Sequence, residues 1–235
     1  FDSSVRRVVV DEAITLTVDR GGSAEELVCD RLVLAAGPWT EDLLRAAEGE
    51  LRPVRPDLTV LRCEPVYLES EATVDLDVLC YVHPDPPGAA GEPAAAGPAK
   101  PRFTDGVYVQ PQRPAGGGGT RIKVGRHGGV RVARPADAVG DEPLEDHRRL
   151  AARLDAMPAF ADARLVGRDT CFYTMTPDEG FVLDYLDPAR RVVLAAGFSG
   201  HGFKFAPVVG RAIAELVLES GTDFEIAGMS LARFG

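Results

Sequence analysis

Apolar positions along this chain fall into short runs rather than long helical stripes. Residues 5–18 (VRRVVVDEAITLTV) and 26–36 (ELVCDRLVLAA) read as two strands separated by DRGGSAEE. The second is mostly apolar, as expected of a strand covered on both faces. GPWTEDLLRAAEG then predicts a helix, with Thr40 as N-cap, Glu41 and Asp42 in the first turn and Gly49 as its stop. Between 51 and 82 the runs shorten into further strands, such as LTVLRCEPVYLE. VYVQPQ (107–112) and TRIKVGRH (120–127) read as two more, flanking PAGGGG. Strands follow around Cys171 and Phe181 and at VVLAA, and PVVGRAIAELVLESG predicts a last helix closed by Gly221. A charged helix is expected at 143–156, and the stretch 83–106, dense in Pro, Gly and Ala, as a flexible insertion.

Composition narrows the function classes. With 235 residues and 45% apolar content, the chain can bury the core of one large or two small domains. A net charge of −10 argues against nucleic acid or an anionic membrane as partner, because both need a basic face. No apolar run approaches the roughly 20 residues of a membrane span. Cys29, Cys63, Cys80 and Cys171 are scattered, without C-x-x-C or metal-ligand spacing. The expectation is a cytoplasmic chain with reduced thiols and no metal. His83 and His147 sit in no motif and are read as surface residues.

The chemistry concentrates near the C-terminus. GFSGHGFKF, Gly197 to Phe205, directly follows the apolar run VVLAA. A strand feeding a glycine-rich turn and then a helix points backbone N–H groups and a helix N-terminus at an electron-rich ligand. His201 and Lys204 add polar and cationic character. Ala-Ala-Gly recurs at 35–37 and 195–197. Strand alternation places Lys123, Gly125 and His127 on one face of their strand, and Cys171 and Tyr173 on one face of theirs.

TCFYTMTPDEGFVLD and VVLAAGFSGHGFKFAPVVGRAIAEL together closely resemble the C-terminal part of the monomeric sarcosine oxidase and N-methyltryptophan oxidase family, FAD-dependent enzymes of the D-amino-acid-oxidase superfamily. TRIKVGRH and DRLVLAAGPWTEDLL carry the likeness more thinly. The resemblance implies an α/β (α+β) chain: part of a glutathione-reductase-like FAD domain at 1–50 and 190–235, and an antiparallel-sheet substrate domain at 51–189. The family's opening G-x-G-x-x-G unit has no counterpart here: GGSAEE at Gly21 joins two strands, and GGGGT at Gly116 opens no helix. The chain is therefore expected to be the C-terminal part of a longer flavoprotein and to need a missing dinucleotide-binding half.

The resemblance also implies roles. Cys171 would carry the flavin as a thioether. Ala36, Gly37, Trp39, Gly197, Phe198, Gly200, His201, Gly202 and Phe203 would surround the cofactor. Lys204 would contact it and hold the substrate carboxylate. Lys123 would promote dioxygen reduction, with His127 and Tyr173 lining the cavity. The implied reaction oxidises a secondary or N-alkylated amino acid by hydride transfer to flavin, with dioxygen reduced to hydrogen peroxide. Two alternatives stay open: a dehydrogenase or D-amino-acid-type oxidase with noncovalent flavin, and a fragment unable to bind flavin.

Overall fold

A computed structural model describes residues 3–70, 80–82, 107–112, 120–138 and 163–235. The expected insertion at 83–106, the helix at 143–156, His83 and His147 lie outside the described residues. The chain divides into two compact units: residues 1–60, 133–135 and 173–235, and residues 61–132 and 136–172.

The first unit begins with β1 (Ser3–Val10), β2 (Ile14–Arg20) and β3 (Ser23–Cys29), an antiparallel meander extended in parallel by β5 (Ala47–Gly49). Residues 5–18 are thus two strands and not one. They turn back at Asp11–Ala13, and Val10 pairs with Ile14. The β2–β3 turn uses Gly21 and Gly22, both at positive φ, as the Gly-Gly pair demands. Residues 26–36 also split. β3 is an edge strand, with Val28 69% exposed, and Asp30-Arg31 separates it from β4 (Leu32–Leu34). The expected burial on both faces therefore fails here.

That burial belongs instead to β15 (Val192–Ala196), every residue of which is buried. It lies between β14 (Val182–Tyr185), antiparallel, and β4, parallel. Val192, Leu194 and Ala196 enter one core with Val8, Ile14 and Leu44; Val193 and Ala195 enter another with Ala212 and Leu216. The latter two come from α2 (Ala206–Glu219). This helix closes at Ser220, which takes the left-handed conformation (φ 60°) assigned in sequence to Gly221. The earlier helix, α1 (Thr40–Arg45), is shorter than expected because residues 47–49 pair with β1. Thr40 is its first residue, not its N-cap: the hydroxyl donates to the Gly37 carbonyl at 2.7 Å.

The second unit is built on a five-stranded antiparallel sheet. Its order is β12 (Arg164–Arg168), β7 (Val66–Ser70), β10 (Thr120–Arg126), β9 (Val107–Gln112) and β8 (Cys80–Val82). Val66, Leu68, Val107, Val109, Ile122 and Val124 pack one face. Alternation sends Tyr67, Arg121 and Lys123 to the other. β6 (Thr59–Cys63) and β13 (Cys171–Met175), neighbours in a three-stranded sheet with β11 (Val130–Val132), carry the chain out of the first unit and back.

Candidate functional site

In the first unit, the recurrence of Ala-Ala-Gly has a spatial meaning. β4 and β15 are parallel, with Leu34 beside Leu194, so both tripeptides leave the same carboxyl edge of the sheet. Ligands of open α/β sheets bind outside such edges. Gly37 (φ +52°) and Gly197 (φ +63°) make the turns, and a Cβ added at Gly37 would meet only open space. Trp39 is 52% exposed, so it faces outward rather than filling the core.

The turn after β15 is pinned from within. Ser199, buried and itself at φ 49°, donates its N–H to the Thr174 carbonyl at 3.0 Å and its hydroxyl to the Gly197 carbonyl at 3.0 Å. His201 and Gly202 both donate backbone N–H to the Phe198 carbonyl, and Phe205 to that of Gly202. Those donors stabilise the turn itself. The His201 ring donates from Nε2 to the Glu179 carbonyl at 3.1 Å, and Phe181 packs against Phe198, His201 and Phe205 with centroids 4.9 to 5.7 Å apart. Gly200 (φ +74°) lies so close to Tyr173 that an added Cβ would be 2.5 Å from the ring. Tyr173 is thereby fixed against the turn. Phe203, 95% exposed, and Lys204, exposed with Nζ 5.4 Å from the Phe205 ring centroid, form the 3-10 turn ahead of α2.

In the second unit, Cys171 opens β13 half-buried. Its thiol is lowered to about 7. A hydrogen bond from Cys63 does most of this, burial opposes it, the positive charge of Lys123 helps and Asp169 opposes. Lys123 on β10 stands opposite Tyr67 of β7 and Gln110 of β9. Tyr67 donates to Asp169 at 2.5 Å, which pushes its own phenol up, and the Arg121 guanidinium lies 5.2 Å over the Tyr67 ring. These three residues, with Gln112, Gly167 and Arg168, line a polar recess of about 420 Å³. Gly125 follows on the Lys123 face, where the Tyr108 ring leaves no room for a Cβ. His127 is buried just beyond the end of β10.

The structure thus groups Cys171 with Lys123 in one unit, and Tyr173, Gly197, Phe198, Gly200, His201 and Gly202 in the other. Sequence reasoning missed Cys63, Tyr67, Asp169 and Ser199. Gly125 on a strand was a usable signal for Tyr108, since strand glycines mark close approach. Nothing local in the sequence announces the pairing of Cys63 with Cys171.

Comparison with known proteins decides the family. The sequence profile of the FAD dependent oxidoreductase (DAO) family matches residues 2–216. This chain belongs to that family. Monomeric sarcosine oxidase of Bacillus sp. (strain NS-129) is 28% identical over 231 residues, 96% of this chain and 52% of the relative. N-methyl-L-tryptophan oxidase of Escherichia coli O157:H7 (strain EC4115 / EHEC) is 34% identical over 115 residues, 48% of this chain and 31% of the relative. The chain spans about half the length of the first of these. Among solved structures, NikD, an unusual amino acid oxidase essential for nikkomycin biosynthesis, matches with a TM-score of 0.69 at 22% identity, over 97% of this chain and 54% of its own. Glycine oxidase from Geobacillus kaustophilus gives 0.69 at 18%, over 98% and 52%. The mixed sheets with few helices are the fold of the FAD-dependent amino acid oxidases.

Proposed function

We propose that this DAO-family chain contributes the substrate-oxidising part of an FAD-dependent amine oxidase of the sarcosine oxidase type, acting on a secondary or N-alkylated amino acid. The observation that carries this reading is the Cys171 thiol, lowered to about 7 beside Lys123. Attachment of a flavin as a thioether requires a nucleophilic sulfur, and a half-buried thiolate beside a cation supplies one. The carboxyl-edge turns suit the same cofactor, because glycines at 37 and 197 in left-handed conformation let backbone approach it. Residues 1–50 and 190–235 then hold FAD through Ala36, Gly37, Trp39, Gly197, Phe198, Gly200, His201, Gly202, Phe203 and Lys204, and residues 51–189 supply Cys171 and Lys123.

FAD held there would supply the acceptor for a hydride equivalent from the carbon next to the substrate nitrogen, and the means of reducing dioxygen to hydrogen peroxide. The chain's own residues supply charge and position. Lys204 offers an exposed ammonium to the substrate carboxylate, a point-charge task. Lys123 holds a fixed positive charge where negative charge develops during oxygen reduction. Tyr173 is immobilised against Gly200 in the first unit, and His127 is buried just beyond the Lys123 strand in the second; each would present a wall of its own unit to substrate.

The test is an absorption spectrum of the purified chain supplied with FAD, repeated after acid precipitation and on Cys171→Ala. Yellow colour staying with the precipitate, and lost in the variant, is the expected result. Colour released into the acid supernatant of the parent chain would overturn covalent attachment. A chain that takes up no FAD would overturn flavin binding by this chain.

A further inference from the structure

Cys63 forms no bond in the chemistry above, yet it acts on the thiol on which that chemistry depends. It closes β6, and Cys171 opens the neighbouring strand β13. Arg168 pairs antiparallel with Val66, and the Asp169 N–H donates to the Pro65 carbonyl at 3.1 Å, a register that, carried on into β6 and β13, sets Cys171 opposite Cys63. No disulfide joins them. Opposed residues on paired strands have Cα atoms about 4.5–5.5 Å apart, inside the roughly 4.4–6.8 Å window that a disulfide spans. Cys63 is only 4% exposed, with its Sγ 2.8 Å from the Gly128 carbonyl. An added Cβ at Gly129 would come within 3.0 Å of that sulfur, so the pocket around it is tight. One thiol is reactive and half-exposed, and the other is buried and already in contact with it. That is the arrangement of an attacking and a resolving cysteine.

We propose that Cys171 and Cys63 are a site of reversible oxidative modification, closing to an intramolecular disulfide when the chain meets hydrogen peroxide. The Cys171 thiolate attacks one peroxide oxygen. An S–O bond forms, the O–O bond breaks, and the departing hydroxide takes a proton to become water. The Cys63 sulfur then attacks the Cys171 sulfenic acid. The S–S bond forms, the S–O bond breaks, and the second hydroxide leaves as water with the Cys63 proton. Two thiols and one peroxide give one disulfide and two waters; the sulfurs lose two electrons and the peroxide gains them. Lys123 and Asp169 act on the Cys171 thiol, and Tyr67 is within its electrostatic reach. Lys123 favours the attacking thiolate, and Asp169, already accepting from Tyr67, disfavours it.

The consequence for flavin attachment rests on the function proposed above: one sulfur cannot enter both a thioether and a disulfide. Oxidation would therefore withhold the attachment site, and attached flavin would protect it from oxidation.

The experiment treats the reduced, flavin-free full chain with hydrogen peroxide and maps its peptides by mass spectrometry, with and without dithiothreitol. The expected result is joint loss of the Cys63 and Cys171 thiols into one linked peptide pair, restored by dithiothreitol. In Cys63→Ser the same peroxide should leave Cys171 as a sulfenic acid trapped by dimedone, passing on to irreversibly oxidised sulfinic acid. In Cys171→Ser, Cys63 should stay reduced. Over-oxidation of Cys171 in the parent chain with Cys63 still a thiol would overturn the proposal. So would a disulfide from Cys171 to Cys29 or Cys80. Because thiols are read directly, these outcomes are independent of flavin. Absence of thioether on the reduced chain would count against flavin attachment alone.

Discussion

Replacing Gly200 by alanine tests whether the turn after β15 is a close-packed cradle or a tolerant surface loop. Gly200 sits at φ +74°, in the left-handed region that costs an ordinary L-residue about 1–2 kcal/mol. The new methyl would also land 2.5 Å from two ring carbons of Tyr173 and 2.9 Å from the carbon that joins the ring to Cβ. That near end of the ring cannot swing aside without a rotamer change, and overpacking of this kind costs about 1–3 kcal/mol. Relief by shifting the turn is opposed by the Ser199 N–H bond to Thr174 at 3.0 Å. Together the terms predict a loss of about 2–5 kcal/mol, a large share of the roughly 5–15 kcal/mol that holds a typical domain folded. Urea unfolding followed by circular dichroism reads this directly. With a slope of about 3 kcal/mol per molar, the midpoint should fall by about 0.7–1.7 M. Gly210→Ala is the matched control: it lies inside α2, nothing would meet its Cβ, and it should gain about 0.5–1 kcal/mol. If Gly200→Ala moves the midpoint no further than Gly210→Ala does, the close approach to Tyr173 is not real and the reasoning fails.

Alkylation of Cys171 by iodoacetamide should rise through a half-point near pH 7, and both Cys63→Ala and Lys123→Met should move that half-point upward, since each removes something that favours the thiolate; a half-point unmoved by either change would contradict the assignment. Asp178 is held at about 2, first by its hydrogen bond to Arg233. Its carboxyl is depressed in the folded state, so the stabilisation is complete above the unfolded value near 3.8 and disappears as pH falls through about 2. The pair is partly exposed, with Asp178 at 49%, so solvent screening limits its worth to about 0.2–1 kcal/mol. Arg233→Ala should cost about that much more at pH 7 than below pH 2, where only its bonds to the Gly180 and Ser230 carbonyls remain to be lost, as thermal melts at the two pH values would register. In an FAD-loaded enzyme, Lys204→Ala should raise KM for an amino acid substrate far more than for the matching amine without a carboxylate; equal effects on both would remove Lys204 from carboxylate binding.

How much was legible in the sequence depended on how local each signal was. The apolar run VVLAA, the glycine turn and the helix after it could be read directly, because one strand covered on both faces leaves a continuous apolar string. The β9–β10 pair was likewise readable from its two runs. Short interruptions were not. Asp11–Ala13 and Asp30-Arg31 each break what composition presents as one strand, and only pairing partners reveal the break. Ser220 took the left-handed cap position that proximity assigns to Gly221, a choice made within one residue by backbone geometry. Cys63 was invisible as a partner, because its meeting with Cys171 depends on β6 and β13 being sheet neighbours.

The parallel pairing of β4 with β15 joins the two ends of the described chain, since Leu32–Leu34 lies beside Val192–Leu194. The segments of the second unit therefore lie, in sequence, between two strands that pair within the first. The entropy of closing a loop grows only logarithmically with its length, about 0.6 kcal/mol for each doubling. Residues could be added to or removed from the second unit at almost no cost to the first unit's stability. The carboxyl edge with its two glycine turns would keep its geometry throughout, which leaves the second unit free to diverge in size while those turns stay the same.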